Sequence, residues 1–187
     1  IIGLLGRLYD CQSGEINIDG VALTSYEIGC LRKNIAVVLQ DVFLFSSSIA
    51  YNIHLGDESI THDKMVEAAK AVGVHEFILS LPGGYDYEVK ERGATLSVGQ
   101  RQLISFVRAL VHNPKIIVLD EATSSVDSET EVLIQQAIST LMKGRTAVVI
   151  AHRLSTIRNS DQILVMDKGE IKERGTQDEL LALDGLY

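Results

Sequence analysis

IIVLDEATSSVD occupies residues 116–127. An apolar run, broken by nothing polar, leads into two adjacent carboxylates, Asp120 and Glu121. Short, β-branched runs of this kind read as strands buried on both faces, as in a parallel sheet covered by helices. Negative charge at the tip of a buried strand is costly unless a partner waits there. What meets those acids is therefore the question on which both fold and function turn.

Two further segments share the pattern: IAVVLQ (35–40) and TAVVIAH (146–152). The three runs lead to Gln40, Asp120 and His152. Ligands of open α/β sheets sit at the carboxyl ends of the strands, so three such tips predict one shared site. Between them lie helical stripes. Leu103, Phe106, Val107, Leu110 and Val111 recur at spacings of three and four, with Pro114 just beyond. Asp127 suits the N-cap of a second stripe, Ile134, Ala137, Ile138 and Leu141, which Gly144 stops. Alternating strands and helices predict an α/β fold with a parallel-sheet core.

Residues 42–105 differ. They carry helical spacing at Met65, Ala68, Ala69 and Val72 and a Pro82-Gly83-Gly84 turn, without a buried-strand pattern, and read as a helical insertion. Three segments are expected: core over 1–41, helical subdomain over 42–105, core again over 106–187. Near the C-terminus, QILVM and EIKERG flank Lys168-Gly169 as a hairpin, and TQDE (176–179) is a capping box.

Bulk properties narrow the function classes. The 187 residues suit one domain, and 46% hydrophobic with 22% charged residues is an ordinary globular composition. A formal net charge of −8 argues against a nucleic-acid surface, which shows a basic stripe. Cys11 and Cys30 lack CxxC spacing; two free thiols in a reducing compartment compete with a single disulfide. No apolar run approaches the roughly 20 residues that cross a bilayer. IIGLLGRLYD lacks the features of a signal peptide and opens within a helical pattern, from which a fragment is expected.

An acidic pair at a strand end suits a hard divalent cation near phosphates. Asp120 would hold Mg²⁺, directly or through water, and Glu121 would accept a proton from attacking water. A plain N-cap is the competing role. In LSVGQRQL (96–103), Ser97 and Gly99 precede a helix; a hydroxyl, bare backbone and a helix N-terminus make an anion site, and again simple capping competes.

LSVGQRQL resembles the LSGGQ signature of ATP-binding-cassette (ABC) ATPases. IIVLDEATSSVD is similar to their Walker B strand and D-loop, His152 in IAHRLSTI to the switch histidine, and Gln40 in VLQDVFLF to the Q-loop. The motifs stand in the family's order over almost the whole chain. ERGATLS, FLFSSSIAYNI and GTQDELLALDGLY are similar to exporters of the half-transporter type. The resemblance implies a P-loop NTPase-type core with an inserted helical subdomain, ATP and Mg²⁺ as cofactors, and ATP hydrolysis driving export. It implies a head-to-tail dimer with a second nucleotide-binding domain. By it, Gln40 and Asp120 serve Mg²⁺, Glu121 polarises water, and His152 contacts the γ-phosphate. Ser97 and Gly99, beside Val98 and with Gln100 close by, reach the ATP on the opposite subunit; Asp127, Ser124 and Ser125 cross the interface. The helical subdomain would meet a transmembrane domain through Phe43, Phe45 and the loop to Tyr51, near Glu91 and Arg92, although both Phe residues also suit a core. The other histidines, His54, His62, His75 and His112, are expected to be ordinary surface residues. A place at the cytoplasmic face of the membrane, as part of a membrane protein, follows, with the fragment itself soluble.

The chain departs from the family in two ways. No GxxxxGK[ST] occurs, so the phosphate loop (Walker A), the strands before it and the adenine-stacking aromatic are absent from these 187 residues. Alone they are expected to bind ATP weakly and not to hydrolyse it. Val98 stands where the family usually has Gly. Two other readings exist: a soluble ABC ATPase of DNA repair or chromosome cohesion, disfavoured by the short insertion without heptads, and a non-catalytic heterodimer partner, disfavoured by an intact Glu121.

Overall fold

The structure is a computed structural model that describes residues 1–120, 127–151 and 154–187. It divides into two compact units, Ile1–Val149 and Ile150–Tyr187. The first opens with a single helical turn, α1 (Ile2–Leu5), which ends at Gly6, so the expected N-terminal helix is short. A hairpin follows, β1 (Asn17–Ile18) and β2 (Val21–Ala22), with Asn17 opposite Ala22. Its turn, Asp19-Gly20, has φ of 50° and 77°, the double left-handed conformation that an Asp-Gly pair adopts most readily.

Next come α2 (Ile28–Asn34), β3 (Ile35–Val38), α3 (Ile49–His54), α4 (His62–Val72), α5 (His75–Ser80) and α6 (Val98–Val111). β4 (Ile116–Asp120), α7 (Ser128–Met142) and β5 (Thr146–Ile150) complete the sequence of elements. The sheet order is β3-β4-β5. β3 and β4 are parallel, in register from Ile35 opposite Ile116 to Val38 opposite Leu119. Lys115 donates to the Asn34 carbonyl and Thr146 to the Lys115 carbonyl, so all three strands start at one end of the sheet.

β4 shows why its apolar run is continuous. Ile117 and Leu119 enter the main core with Phe106, Ile134 and Leu141; Val118 faces a smaller cluster with Leu23, Leu31 and Ile35. Successive side chains point to opposite faces, and both faces are covered. The other two strands depart from the expectation of two-sided burial. Val37 of β3 is exposed, and β5 has exposed ends around a half-buried centre. Among the described residues both are outer strands of the three, and β4 between them has a neighbour on either side.

Residues between β3 and α6 are helical, as expected: Met65, Ala68, Ala69 and Val72 of α4 are buried. α4 begins at Thr61, whose hydroxyl accepts from Lys64 N–H, and ends at Gly73 with φ 82°. On α6, Leu103, Phe106 and Val107 are buried while Leu110 and Val111 are half-buried. All four apolar residues expected inside α7 are buried. Arg145 ties the end of α7 to the strand β4 approach, donating to the carbonyls of Pro114 and Leu141 and to Asn113 Oδ1.

The second unit holds α8 (Leu154–Arg158), β6 (Ile163–Asp167), β7 (Glu170–Gly175) and α9 (Gln177–Leu183). β6 and β7 form the expected antiparallel hairpin, and Lys168-Gly169 turns with φ of 49° and 83°. This selects the type I′ turn from the loops the sequence allowed. Thr176 and Glu179 form the expected capping box at α9. Among the described residues no helix is long and apolar enough to cross a membrane.

Candidate functional site at the strand ends and the start of α6

Gln40 lies two residues beyond β3 and is exposed; Asp120 is the last residue of β4 and is half-buried. Because Val38 pairs with Leu119 in parallel register, Gln40 and Asp120 both stand at the carboxyl end of the sheet. Two oxygen donors without nitrogen or sulfur suit Mg²⁺, which takes one or two protein oxygens and completes its shell with phosphate and water. No group of three or more His, Cys, Asp or Glu side chains that could hold a metal ion occurs among the described residues. Glu121, Ser124, Ser125 and His152 lie outside the described residues.

Ser97 caps α6. Its Oγ accepts from Gln100 N–H at 3.2 Å, and Gln100 Oε1 accepts from Ser97 N–H at 2.9 Å. The capping role and the anion role are thus compatible: the cap uses a lone pair of Oγ and leaves its O–H to donate outward. Val98 is exposed and Gly99 buried, so the bulk of Val98 points away from the core. Asp127 caps α7, its carboxylate accepting from Thr130 N–H at 2.9 Å and Thr130 Oγ1 at 2.8 Å.

Those two bonds, backbone first, hold the Asp127 carboxyl below the usual carboxylate range. A depressed folded-state value stabilises above the unfolded value and loses that contribution as pH falls through the folded one. The purified protein should therefore unfold at a higher temperature than Asp127→Ala at pH 6, with the gap closing below about pH 4. Thermal melts across that range check it; a constant gap would contradict it.

The loop before α6 is built around Arg101, which donates to the carbonyls of Leu96 at 2.7 Å and Gly93 at 3.3 Å. Gly93 has φ 74°, and a Cβ there would stand 2.5 Å from Arg101 Cδ and 3.3 Å from Leu44 Cδ1. Gly93→Ala should cost about 1–3 kcal/mol, since the left-handed conformation and the clash add. A urea series with the purified protein reads that loss.

Phe43, Phe45 and Tyr51 are exposed, which removes the core role that the sequence left open for the two Phe residues. Their rings meet edge to face, at 5.0 Å for Phe43–Phe45 and 6.1 Å for Phe45–Tyr51. A groove of about 900 Å³ runs beside them, with Val37, Leu39, Arg32, Lys64 and Arg108 in its walls. Glu91 is exposed.

Several polar residues carry more structure than the sequence revealed. His75 is not an ordinary surface residue: half-buried, its Nδ1 meets the hydroxyl of buried Tyr85 at 3.0 Å. Burial pushes the Tyr85 phenol up to about 12. His62 packs its ring on the same Tyr85 at 5.1 Å, and His54 accepts from Gly56 N–H. His112 is the exposed C-cap of α6, and desolvation lowers its pKa. Both cysteines are free thiols. Arg108 and Asn52, absent from the sequence reading, form a hub. Their signal was there: a cation in the middle of the α6 apolar stripe, and an amide among the apolar residues of IAYNI.

Comparison with known proteins identifies the family and the fold. The family profile described as ABC transporter matches residues 1–124. An uncharacterized ABC transporter ATP-binding protein, YknV of Bacillus subtilis (strain 168), is 54% identical over 187 residues, covering 100% of this chain and 31% of that protein. A probable multidrug resistance ABC transporter ATP-binding/permease protein, YheH of the same organism, is 51% identical, covering 100% of this chain and 28% of its own length. A solved bacterial Atm1-family ABC exporter with ATP bound superposes with a TM-score of 0.90 at 43% identity, covering 100% of this chain and 32% of that one. The chain thus spans about a third or less of the length of these relatives. On the profile match and on these identities, the chain belongs to the ABC transporter family.

Proposed function

We propose that these residues are the nucleotide-binding part of an ABC exporter, hydrolysing ATP with Mg²⁺ at the cytoplasmic face of a membrane to drive export. The parallel pairing of β3 and β4 carries the reading, because it brings Gln40 and Asp120 to the carboxyl end of one sheet, where open α/β sheets bind their ligands. ATP supplies the phosphoric anhydride and Mg²⁺ the countercharge; the chain's own residues position and activate. Gln40 and Asp120 would hold the ion, Asp120 directly or through water. Glu121 takes a proton from the attacking water, and His152 holds the attack geometry at the terminal phosphate.

Ser97, with Gly99 and Gln100 beside it, offers the start of α6 to the terminal phosphate of ATP on a second copy or partner cassette. Asp127 fixes the start of α7 in the segment that crosses that interface. Residues 42–105 act as the helical subdomain between core segments 1–41 and 106–187, and the exposed Phe43–Phe45–Tyr51 patch meets the transmembrane domain.

The test is Mg-ATP turnover by the full-length protein in lipid nanodiscs. Turnover that EDTA abolishes and that Asp120→Ala removes is expected; no turnover, or turnover indifferent to both, would overturn the reading. A polypeptide of residues 1–187 alone, which contains no GxxxxGK[ST], is expected to show none.

A further inference from the structure

Loop 43–48 and helix α6 are far apart in sequence yet share one polar joint. Arg108, in the last turn of α6, donates through Nε to the Asn52 carbonyl at 2.7 Å. Both of its terminal nitrogens reach the Phe43 carbonyl at 3.3 Å, and Nη2 lies 3.4 Å from Asn52 Oδ1. Asn52 is fully buried on α3. Its Oδ1 accepts from Phe45 N–H at 2.8 Å, while Nδ2 donates to the carbonyls of Phe45 and Ser48 at 3.0 Å each. The amide therefore clamps the loop from within, and the guanidinium fastens the clamped loop to α6.

Each partner suits its place. An arginine presents several donors in a fixed fork and stays charged even where burial lowers its pKa, as it does here. Three carbonyl-type acceptors converge on that fork, so the charge is solvated by two backbone carbonyls and one side-chain amide oxygen. A lysine at 108 could reach one of them but could not span them. Asn52 supplies donor and acceptor from one short side chain, a combination that neither Asp nor Leu offers.

The joint lies between two regions with proposed work. Upstream of loop 43–48 stands Gln40; on the loop stand the exposed rings of Phe43 and Phe45. At the far end of the same 14-residue helix stands Ser97. A hydrogen-bonded α-helix is stiff along its axis, so what holds its last turn also holds its first.

We infer that Arg108 and Asn52 are positioning residues that make loop 43–48 and helix α6 move as one piece, so that displacement of the aromatic patch is delivered to the Ser97 end of α6. The inference rests on the reading of the preceding subsection for what the two ends do, and on the hydrogen bonds alone for the tie itself.

The experiment separates these. Full-length wild type, Arg108→Lys, Asn52→Ala and the double variant are compared in nanodiscs by amide hydrogen exchange and by ATPase kinetics. Arg108→Lys should speed exchange over residues 43–52 by about tenfold or more, with the α4 peptide (62–72) unchanged. It should lower kcat about tenfold, within the usual range of coupling energies. KM for Mg-ATP should stay within about twofold, because no proposed nucleotide contact is altered. Since both residues serve one joint, the double variant should be no slower than the slower single one.

Unchanged exchange over 43–52 would show that no tie exists. Faster exchange with unchanged kcat would show a tie that carries nothing, and a change confined to KM would place the residues in nucleotide binding; each overturns the inference. A merely structural role would lower the melting temperature without the split between kcat and KM. A wild-type protein without turnover would refute the functional reading and the transmission with it, while the exchange data would still report on the joint.

Discussion

Glu121→Gln in the full-length protein should lower ATP turnover by about 10²–10⁴-fold, the contribution of a positioned general base. Asp120 is the last residue of β4, half-buried at the strand's end, and Glu121 follows it directly. In the proposed division of labour Asp120 attends to Mg²⁺, which leaves Glu121 unencumbered by metal and able to take a proton. Glutamine keeps the size and hydrogen-bonding reach of glutamate but has no carboxylate to protonate. Nucleotide binding should therefore survive, and the variant should accumulate as an ATP-bound dimer. Steady-state turnover with retained nucleotide measured on the same sample tests both halves. Unchanged turnover would remove Glu121 from the role of base, and loss of binding would assign it to the metal.

Phe106→Ala should cost about 3–5 kcal/mol, the range for truncating a buried aromatic. Phe106 is 1% exposed at the middle of α6, in the cluster that also holds Ile117 and Leu119 from β4 and Ile134 and Leu141 from α7. Removing the ring opens a cavity where helix, strand and second helix meet, and close-packed neighbours fill it only in part. Against a typical total stability of about 5–15 kcal/mol, such a loss leaves a large unfolded fraction. Phe106→Leu keeps most of the volume and should cost less than about 1.5 kcal/mol. The protease-resistant fraction over a urea series distinguishes the two; equal midpoints would show that this cluster does not hold the domain together.

How far the sequence reached is clearest on β4. IIVLD is a strand with both faces covered, because Ile117 and Leu119 serve one cluster and Val118 another. The same grammar overstated β3 and β5. Composition reports what a run could bury, while the position of a strand within the sheet decides what it does bury, as Val37 shows. Local rules worked where the chemistry is local: Ser97 with Gln100, Thr176 with Glu179, and Asp127 before Ser128 are caps set within four residues. The Asp19-Gly20 hairpin carried an equally local signal that the sequence reading passed over. The Arg108–Asn52 joint was beyond such rules, since its partners lie 56 residues apart and meet only after α3 and α6 pack. For the site, the order of motifs pointed to the residues. The strand register puts Gln40 and Asp120 at one end of the sheet, and Ser97 Oγ accepts from Gln100 N–H as the cap of α6; the nucleotide roles of these residues remain proposed.

The most direct measurement is a structure of the full-length Glu121→Gln protein with Mg-ATP. Asp120 should lie at the ion, at about 2.0–2.1 Å or one water removed, and Ser97 Oγ should lie about 2.5–3.0 Å from the terminal phosphate of the nucleotide held by a second cassette. An ion far from Asp120, or a Ser97 hydroxyl facing only solvent, would contradict the account.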